Sequence, residues 1–329
     1  MPHLRARSIA LVITAVIAGV TTAACSTASG VTITSPARSG VIRVVAAENF
    51  WGSIASQIGG RHVHVTSIIT NPNTDPHSYE PTVDDAKLMA GANLVIENGI
   101  GYDPWAASLL AADGANPNGA NPNGATSTAN IPAVLNVGTV VGVADGANPH
   151  RWYNPADVQK VITQLVADYS RLDPANAAYF ARQRTLFNTV GLREYHSLIA
   201  AIRGKYLGTP VGASESIFAM LAPSLGLRLI TPYSFLKAIS EGTEVSAADK
   251  LTIDNQIEHH LIKIYVYNSQ NVTPDVQAQL ALAKAAHIPV TTITETLAPP
   301  ADTYQAWQVR QLRGIEAALA MAARHHARD

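Results

Sequence analysis

Val41-Ile42-Arg43-Val44-Val45-Ala46, then Gly52 to Gly59, then Val63-His64-Val65-Thr66-Ser67-Ile68-Ile69 follow one another near the start of the chain. The outer two runs are short, apolar and β-branched, as strands are, and the middle run ends at a glycine pair, where helices stop. A strand, a helix and a strand in succession are the unit of a parallel α/β layer. Everything downstream is read against that unit.

The alternation continues. Thr82 to Ala90 is expected to be helical, with Asp84 and Asp85 in its first turn where the helix dipole favours negative charge, and Asn93 to Glu97 is a buried strand. Tyr102-Asp103-Pro104-Trp105 opens another helix, Val134 to Val143 has strand character, and Asn154-Pro155-Ala156-Asp157 begins a helix that reaches about Arg171. Asp173-Pro174-Ala175-Asn176 restarts a helix that meets no proline until after Tyr206. Roughly 30 helical residues span on the order of 45 Å, longer than a small domain needs, and suit a link between lobes. The pattern then resumes: strands at Pro210–Ser214, Arg228–Thr231, Ile262–Tyr267 and Pro289–Thr294, and helices at Ile217–Leu225, Ala247–His260, Pro274–Ala286 and Ala301–Ala323. The expected fold is α/β, with two lobes that are each a mainly parallel sheet flanked by helices, joined by one long rigid linking helix. The lobes are expected at residues 41–175 and 207–329, and the linking helix at residues 176–206.

The amino terminus differs from this body. Arg5 and Arg7 precede the apolar run Ile9 to Val20, and small residues lead to Cys25. The apolar run falls short of the roughly 20 residues that a spanning helix needs, so residues 1–24 read as a signal peptide. Ala23-Ala24-Cys25 fits a lipobox, with Cys25 the lipidated first residue of the mature chain and residues 25–40 a flexible tether. Cys25 is the only cysteine, which excludes an intrachain disulfide and any thiolate metal cluster. Processing there removes two arginines and no acid, taking the net charge from −1 to −3. With no run of Lys or Arg, the chain lacks the footprint of a nucleic-acid binder. Gly114 to Ala125 is a tandem Asn-Pro-Asn-Gly repeat with turn chemistry and almost no apolar side chains, so it is expected to be a surface loop without a ligand role.

Chemistry concentrates at strand ends. Asp75-Pro76-His77 follows the strand Val63–Ile69, and Asn148-Pro149-His150 follows Val134–Val143. Proline fixes its own φ and pushes the preceding residue toward extended geometry, so each histidine sits on a stiff loop. Two carboxylates hold equivalent places later in the chain, Glu215 after Val211 to Ser214 and Glu295 after Val290 to Thr294. Ligands of such sheets collect at the carboxyl edge, so two groups from each lobe would face one cleft. His62 and His64 share one strand face but have no third partner nearby in sequence, and read as solvated.

Asn71 to Pro81, Asp85 to Gly101, Tyr102 to Trp105, Asn148-Pro149-His150-Arg151-Trp152-Tyr153 and Glu295-Thr296-Leu297 together resemble the zinc/manganese family of ABC-transporter solute-binding proteins. The resemblance covers nearly the whole chain after Val41. It implies two α/β lobes joined by a long helix, and an extracytoplasmic protein, anchored by lipid to the outer face of the cytoplasmic membrane, that serves a permease and its ATPase. It implies a monomer and no catalytic residues. It also implies metal ligands at His77, His150 and Glu215, and a fourth at Glu295, where the family commonly has Asp.

Two imidazoles and two carboxylates without sulfur suit Zn²⁺, Mn²⁺ or ferrous iron. Four protein ligands leave no open position, so such a site captures its metal as cargo and does not hydrolyse. Histidine must be neutral to bind, so affinity is expected to fall as pH drops through roughly 6.5. Two other readings are open: a surface lipoprotein of the same fold in adhesion or metal buffering, and a hydrolase. Gly212-Ala213-Ser214-Glu215-Ser216 approaches the nucleophile elbow of α/β-hydrolases, but Ser216 stands where that turn needs glycine.

Overall fold

Two parallel four-stranded sheets with the same strand order carry the computed structural model, which describes residues 40–112 and 132–326. The first sheet holds β1 (Ile42–Glu48), β2 (Val63–Ile69), β3 (Leu94–Glu97) and β4 (Ala133–Asn136) in the order β2-β1-β3-β4. Val44 pairs with Val65 on one side and Leu94 on the other. The helices of this half are α1 (Asn49–Gly59), α2 (Val83–Ala90), α3 (Pro104–Ala112), α4 (Val137–Val141) and α5 (Pro155–Leu172). Parallel strands are buried on both faces, which is why β1 and β3 read as continuous apolar runs. Val44 and Ala46 join the core of Phe50 and Trp51 on one face, while Val45 and Ala47 pack with Met89 and Trp105 on the other. Gly52 is required where α1 crosses β2: a Cβ there would lie 2.1 Å from Ser67 Oγ.

Helical residues lead on through α6 (Ala177–Leu186), a π-helical turn at Phe187–Gly191, and α7 (Arg193–Tyr206). The second sheet holds β5 (Pro210–Ala213), β6 (Arg228–Leu229), β7 (Tyr265–Asn268) and β8 (Val290–Ile293) in the order β6-β5-β7-β8, all parallel. With it come α8 (Ile217–Leu221), α9 (Tyr233–Ser240), α10 (Ala247–Glu258), α11 (Pro274–Ala285) and α12 (Tyr304–His326), the last packing along α7 and β8. In each sheet the first strand is central and the second lies at the edge, so the strand order reverses between β1 and β3 and between β5 and β7. Those are the switch points where α/β sheets bind ligands.

Three details differ from the sequence expectation. Strand character was expected over Val134–Val143, but β4 ends at Asn136, whose side chain accepts from the Thr139 N–H and caps α4, and Gly142 ends that helix at φ +76°. Helix α9 was not expected; it follows Pro232 and buries Phe235, Leu236 and Ile239. The helix expected from 176 to 206 is not one uniform rod, since the π turn and Leu192 (φ −89°, ψ 5°) interrupt it at Gly191, a poor helix former. The signal peptide, Cys25, the tether up to residue 39 and the Asn-Pro-Asn-Gly repeat lie outside the described residues. Among the described residues no helix is long and apolar enough to cross a membrane.

Candidate metal-binding site

His77 sits in a single 3₁₀ turn, Pro76–Ser78, that follows β2. Asp75 holds the turn: one carboxylate oxygen accepts from the His77 N–H at 2.9 Å and the other from Ser78 Oγ at 2.9 Å. His150 leads into a second 3₁₀ turn, Arg151–Tyr153, and there Asn148 Oδ1 accepts from the His150 N–H at 3.1 Å. The recurring Asx-Pro-His pattern is thus one device used twice, an Asx side chain closing a turn that proline has stiffened. Aromatic rings wall both imidazoles, with Tyr102 edge-on to His77 at 4.8 Å and Trp152 edge-on to His150 at 5.2 Å.

The carboxylates come from the second sheet. Glu295 follows β8, and its backbone N–H and that of Thr296 both donate to Gln270 Oε1, at 2.6 and 3.0 Å. Glu215 follows β5, with Asn271 Nδ2 donating to its Oε1 at 2.8 Å. His77, His150 and Glu295 each present an atom such that all three lie within 4.8 Å of one another, and His150 Nε2 is 3.4 Å from Glu295 Oε1. Glu215 stands outside that set. His77 Nε2, His150 Nε2 and Glu215 Oε2 are buried and find no hydrogen-bond partner among the described residues. A cavity of about 200 Å³ opens onto the group past Asp75, Glu241, Asn271 and Glu295.

Burial sets the electrostatics. It pushes the His150 imidazole down to about 4, with the Arg151 charge acting in the same direction and Glu215 opposing. It pushes the Glu215 carboxyl up to about 7, reinforced by the charge on Glu295, whose own carboxyl is also raised, chiefly by burial. Near neutral pH the cleft therefore combines a neutral imidazole with acids that hold protons readily. A divalent cation can displace those protons and satisfy the unpartnered nitrogens in one step.

Ser214 is fully buried and its hydroxyl accepts from the Asn268 N–H at 3.1 Å, which leaves it facing no substrate. His62 lies before β2 rather than in it, edge-on to Tyr179 at 4.6 Å. Of the supporting residues, Gln270 and Asn271 were not singled out from sequence. Asn148 had a visible signal in its place before Pro149; Gln270 and Asn271 look like ordinary loop amides until β7 and β8 bring them to the cleft.

A family model described as ZnuA, zinc-uptake complex component A periplasmic, matches residues 44–318. The chain belongs to the ZnuA family. Relatives include the iron-binding protein YfeA of Yersinia pestis, 26% identical over 180 residues covering 53% of this chain and 54% of that protein. The manganese-binding lipoprotein MntA of Halalkalibacterium halodurans is 24% identical over 143 residues, 42% of each. The chain spans about half the length of the curated relatives it matches. Among solved structures, the Mn-bound periplasmic metal binding protein from Candidatus Liberibacter asiaticus superposes with a TM-score of 0.66 at 19% identity, covering 84% of this chain and 99% of that one. That likeness is one of fold.

This ZnuA-family chain also buries acids beneath the cleft. Glu48, at the end of β1, is fully buried, and neither carboxyl oxygen finds an N–H or O–H donor among the described residues. Asp103 acts on it most strongly of the neighbouring acids, and its oxygens already accept from the Asn98 and Gly99 N–H groups at 2.7 and 2.8 Å. Burial, then the Asp103 charge, raises the Glu48 carboxyl well above the usual range, which favours a protonated Glu48 able to donate to Asp103. Glu48→Gln keeps a donor and should unfold within about 1 kcal/mol of the wild type, whereas Glu48→Ala opens a cavity and removes the donor, at about 2–4 kcal/mol. Denaturant titration of both variants checks this; equal losses would mean that the proton is immaterial.

Proposed function

We propose that this chain is the extracytoplasmic metal-binding component of an ABC importer for a divalent transition metal, Zn²⁺ or Mn²⁺. The observation that carries the reading is the convergence of His77, His150 and Glu295 within 4.8 Å, drawn from the carboxyl edges of two sheets. Glu215, buried beside them with one oxygen unpartnered, completes the ligand set when its side chain rotates toward the ion. Membership of the ZnuA family supports import over catalysis, and the full burial of Ser214 supports it further. The metal is cargo, handed to a membrane permease energised by an ATPase.

In this reading residues 1–24 direct export, Cys25 is lipidated, residues 25–40 tether the body to the outer face of the cytoplasmic membrane, and the protein works as a monomer. The lobes are residues 41–175 and 207–329, with 176–206 linking them. Contacts that join the two halves, such as Tyr304 OH donating to the Trp152 carbonyl at 2.6 Å and the Leu297 N–H donating to Asn49 Oδ1 at 3.2 Å, favour a small movement on metal binding. Competitive titration with Zn²⁺ and Mn²⁺ tests the reading. His77→Ala and Glu295→Ala should each weaken binding by about tenfold or more, in the range seen when a metal site loses a supporting or direct contact. Unchanged binding of both metals in both variants would remove the site.

A further inference from the structure

Asn148 does more than close its turn. Its side-chain amide lies across the junction between the two halves, with Oδ1 toward His150 and Nδ2 donating to the Ser216 carbonyl oxygen at 2.7 Å. The oxygen and nitrogen of an amide are assigned by their partners, and here the partners decide. The His150 backbone N–H can only donate, so it must meet the amide oxygen, and the Ser216 carbonyl can only accept, so it must meet the amide NH₂. Neither backbone group can exchange roles. The amide orientation is therefore pinned at both ends.

His150 Nδ1 lies 2.9 Å from that same pinned Oδ1. An amide oxygen offers no proton, so for this contact to be a hydrogen bond Nδ1 must carry the hydrogen. Ser216 Oγ, 3.2 Å from Nδ1, is compatible, because it can accept there while donating to Ser240 Oγ at 2.7 Å. With the hydrogen on Nδ1, the lone pair of the neutral ring is left on Nε2, the atom 3.4 Å from Glu295 Oε1. The tautomer needed for metal binding is thus written into backbone geometry two residues away and in the opposite half of the molecule.

We infer that Asn148 is a positioning residue that fixes His150 as the Nδ1–H tautomer and ties its loop to Ser216, next to Glu215. This deepens the metal-binding reading and rests on it for its purpose, but the tautomer exists in the metal-free protein and can be measured there. Side-chain ¹⁵N–¹H correlation spectra of the metal-free wild type at neutral pH should show the His150 ring in the Nδ1–H form. A ring in the Nε2–H form would overturn the inference whatever any variant does.

Asn148→Ala combined with Ser216→Ala removes both acceptors of Nδ1–H, and the ring should become a mixture of tautomers while His77 is unchanged. Retention of the pure Nδ1–H form in that variant would overturn the inference. Asn148→Asp with Ser216→Ala keeps the acceptor and loses the donor to Ser216, so it should restore the tautomer; failure to restore it would count against Asn148 as its cause. Zn²⁺ affinity should fall by on the order of 10–100-fold in the double-alanine variant, as for loss of other groups that orient a metal-bound histidine. A wild type that binds neither Zn²⁺ nor Mn²⁺ would sink the proposed function and leave the tautomer result standing by itself.

Discussion

Metal affinity should drop by on the order of tenfold to a hundredfold between pH 7 and pH 5, with protons released to solvent as the metal binds. The sign follows from the carboxyls. Burial holds Glu215 and Glu295 above the ordinary carboxylate range, with the Glu295 charge adding to the shift that puts Glu215 near 7, so below that pH the metal must displace protons that the cleft retains. A single group that titrates near 7 costs on the order of fiftyfold across that interval, and two interacting groups titrate as a pair. His150 contributes little there, because burial keeps it neutral down to about 4. The acids of the second sheet thus add their own pH dependence to the profile expected from imidazole alone, centred near 6.5.

Calorimetry in buffers of different ionisation enthalpy counts the protons released. Glu215→Gln should reduce the number near pH 6 by up to one, since glutamine occupies the same place without a titrating proton. An unchanged count in that variant would place the proton elsewhere. The same shifts govern stability of the metal-free chain. Glu97, raised to about 7 by burial, and Asp103, raised to about 6, bind protons more tightly folded than unfolded, so their contribution is complete below about pH 4 and is lost as pH rises through 6 to 7. His150 runs the other way, favouring the fold as pH rises from about 4 to 6.5.

How much of this was legible in the sequence depends on what each residue answers to. The central strands β1 and β3 could be read because they are buried on two faces, where near-continuous apolar runs serve. Val137–Val141 misled for a related reason: its valines favour a strand, and only the Asn136 cap and left-handed Gly142 make it a helix. Helix α9 carries three buried residues in two turns, too brief a period to stand out. The turn-borne histidines were legible because proline and Asx fix a local shape. Distances across the cleft were not. Glu215 and Glu295 look equivalent in sequence, yet Asn271 holds the first while the second lies against His150.

Trp152→Ala should destabilise the fold by about 3–5 kcal/mol, the range for deleting a large buried aromatic ring. Trp152 is fully buried, stacked on Phe50 with ring centroids 3.8 Å apart and an interplanar angle of 17°, and tilted against Tyr102 at 5.0 Å. These rings join the helix after β1 to the loop after β3 and to the turn that carries His150, so removing one leaves a gap that rigid strands cannot close. The Trp152 carbonyl still accepts from Tyr304 OH in the variant, and the indole N–H has no partner among the described residues. The loss is therefore one of packing, and Trp152→Phe should recover most of it, to within about 1–2 kcal/mol of the wild type. Denaturant midpoints separate the two, and a loss under about 1 kcal/mol for the alanine variant would mean that the ring stack does not hold the lobe. Because the His150 ring rests edge-on against Trp152, metal binding in the alanine variant should weaken even under conditions where it remains folded. Stability and ligand geometry draw on the same ring, so substitutions in this turn should cost both together.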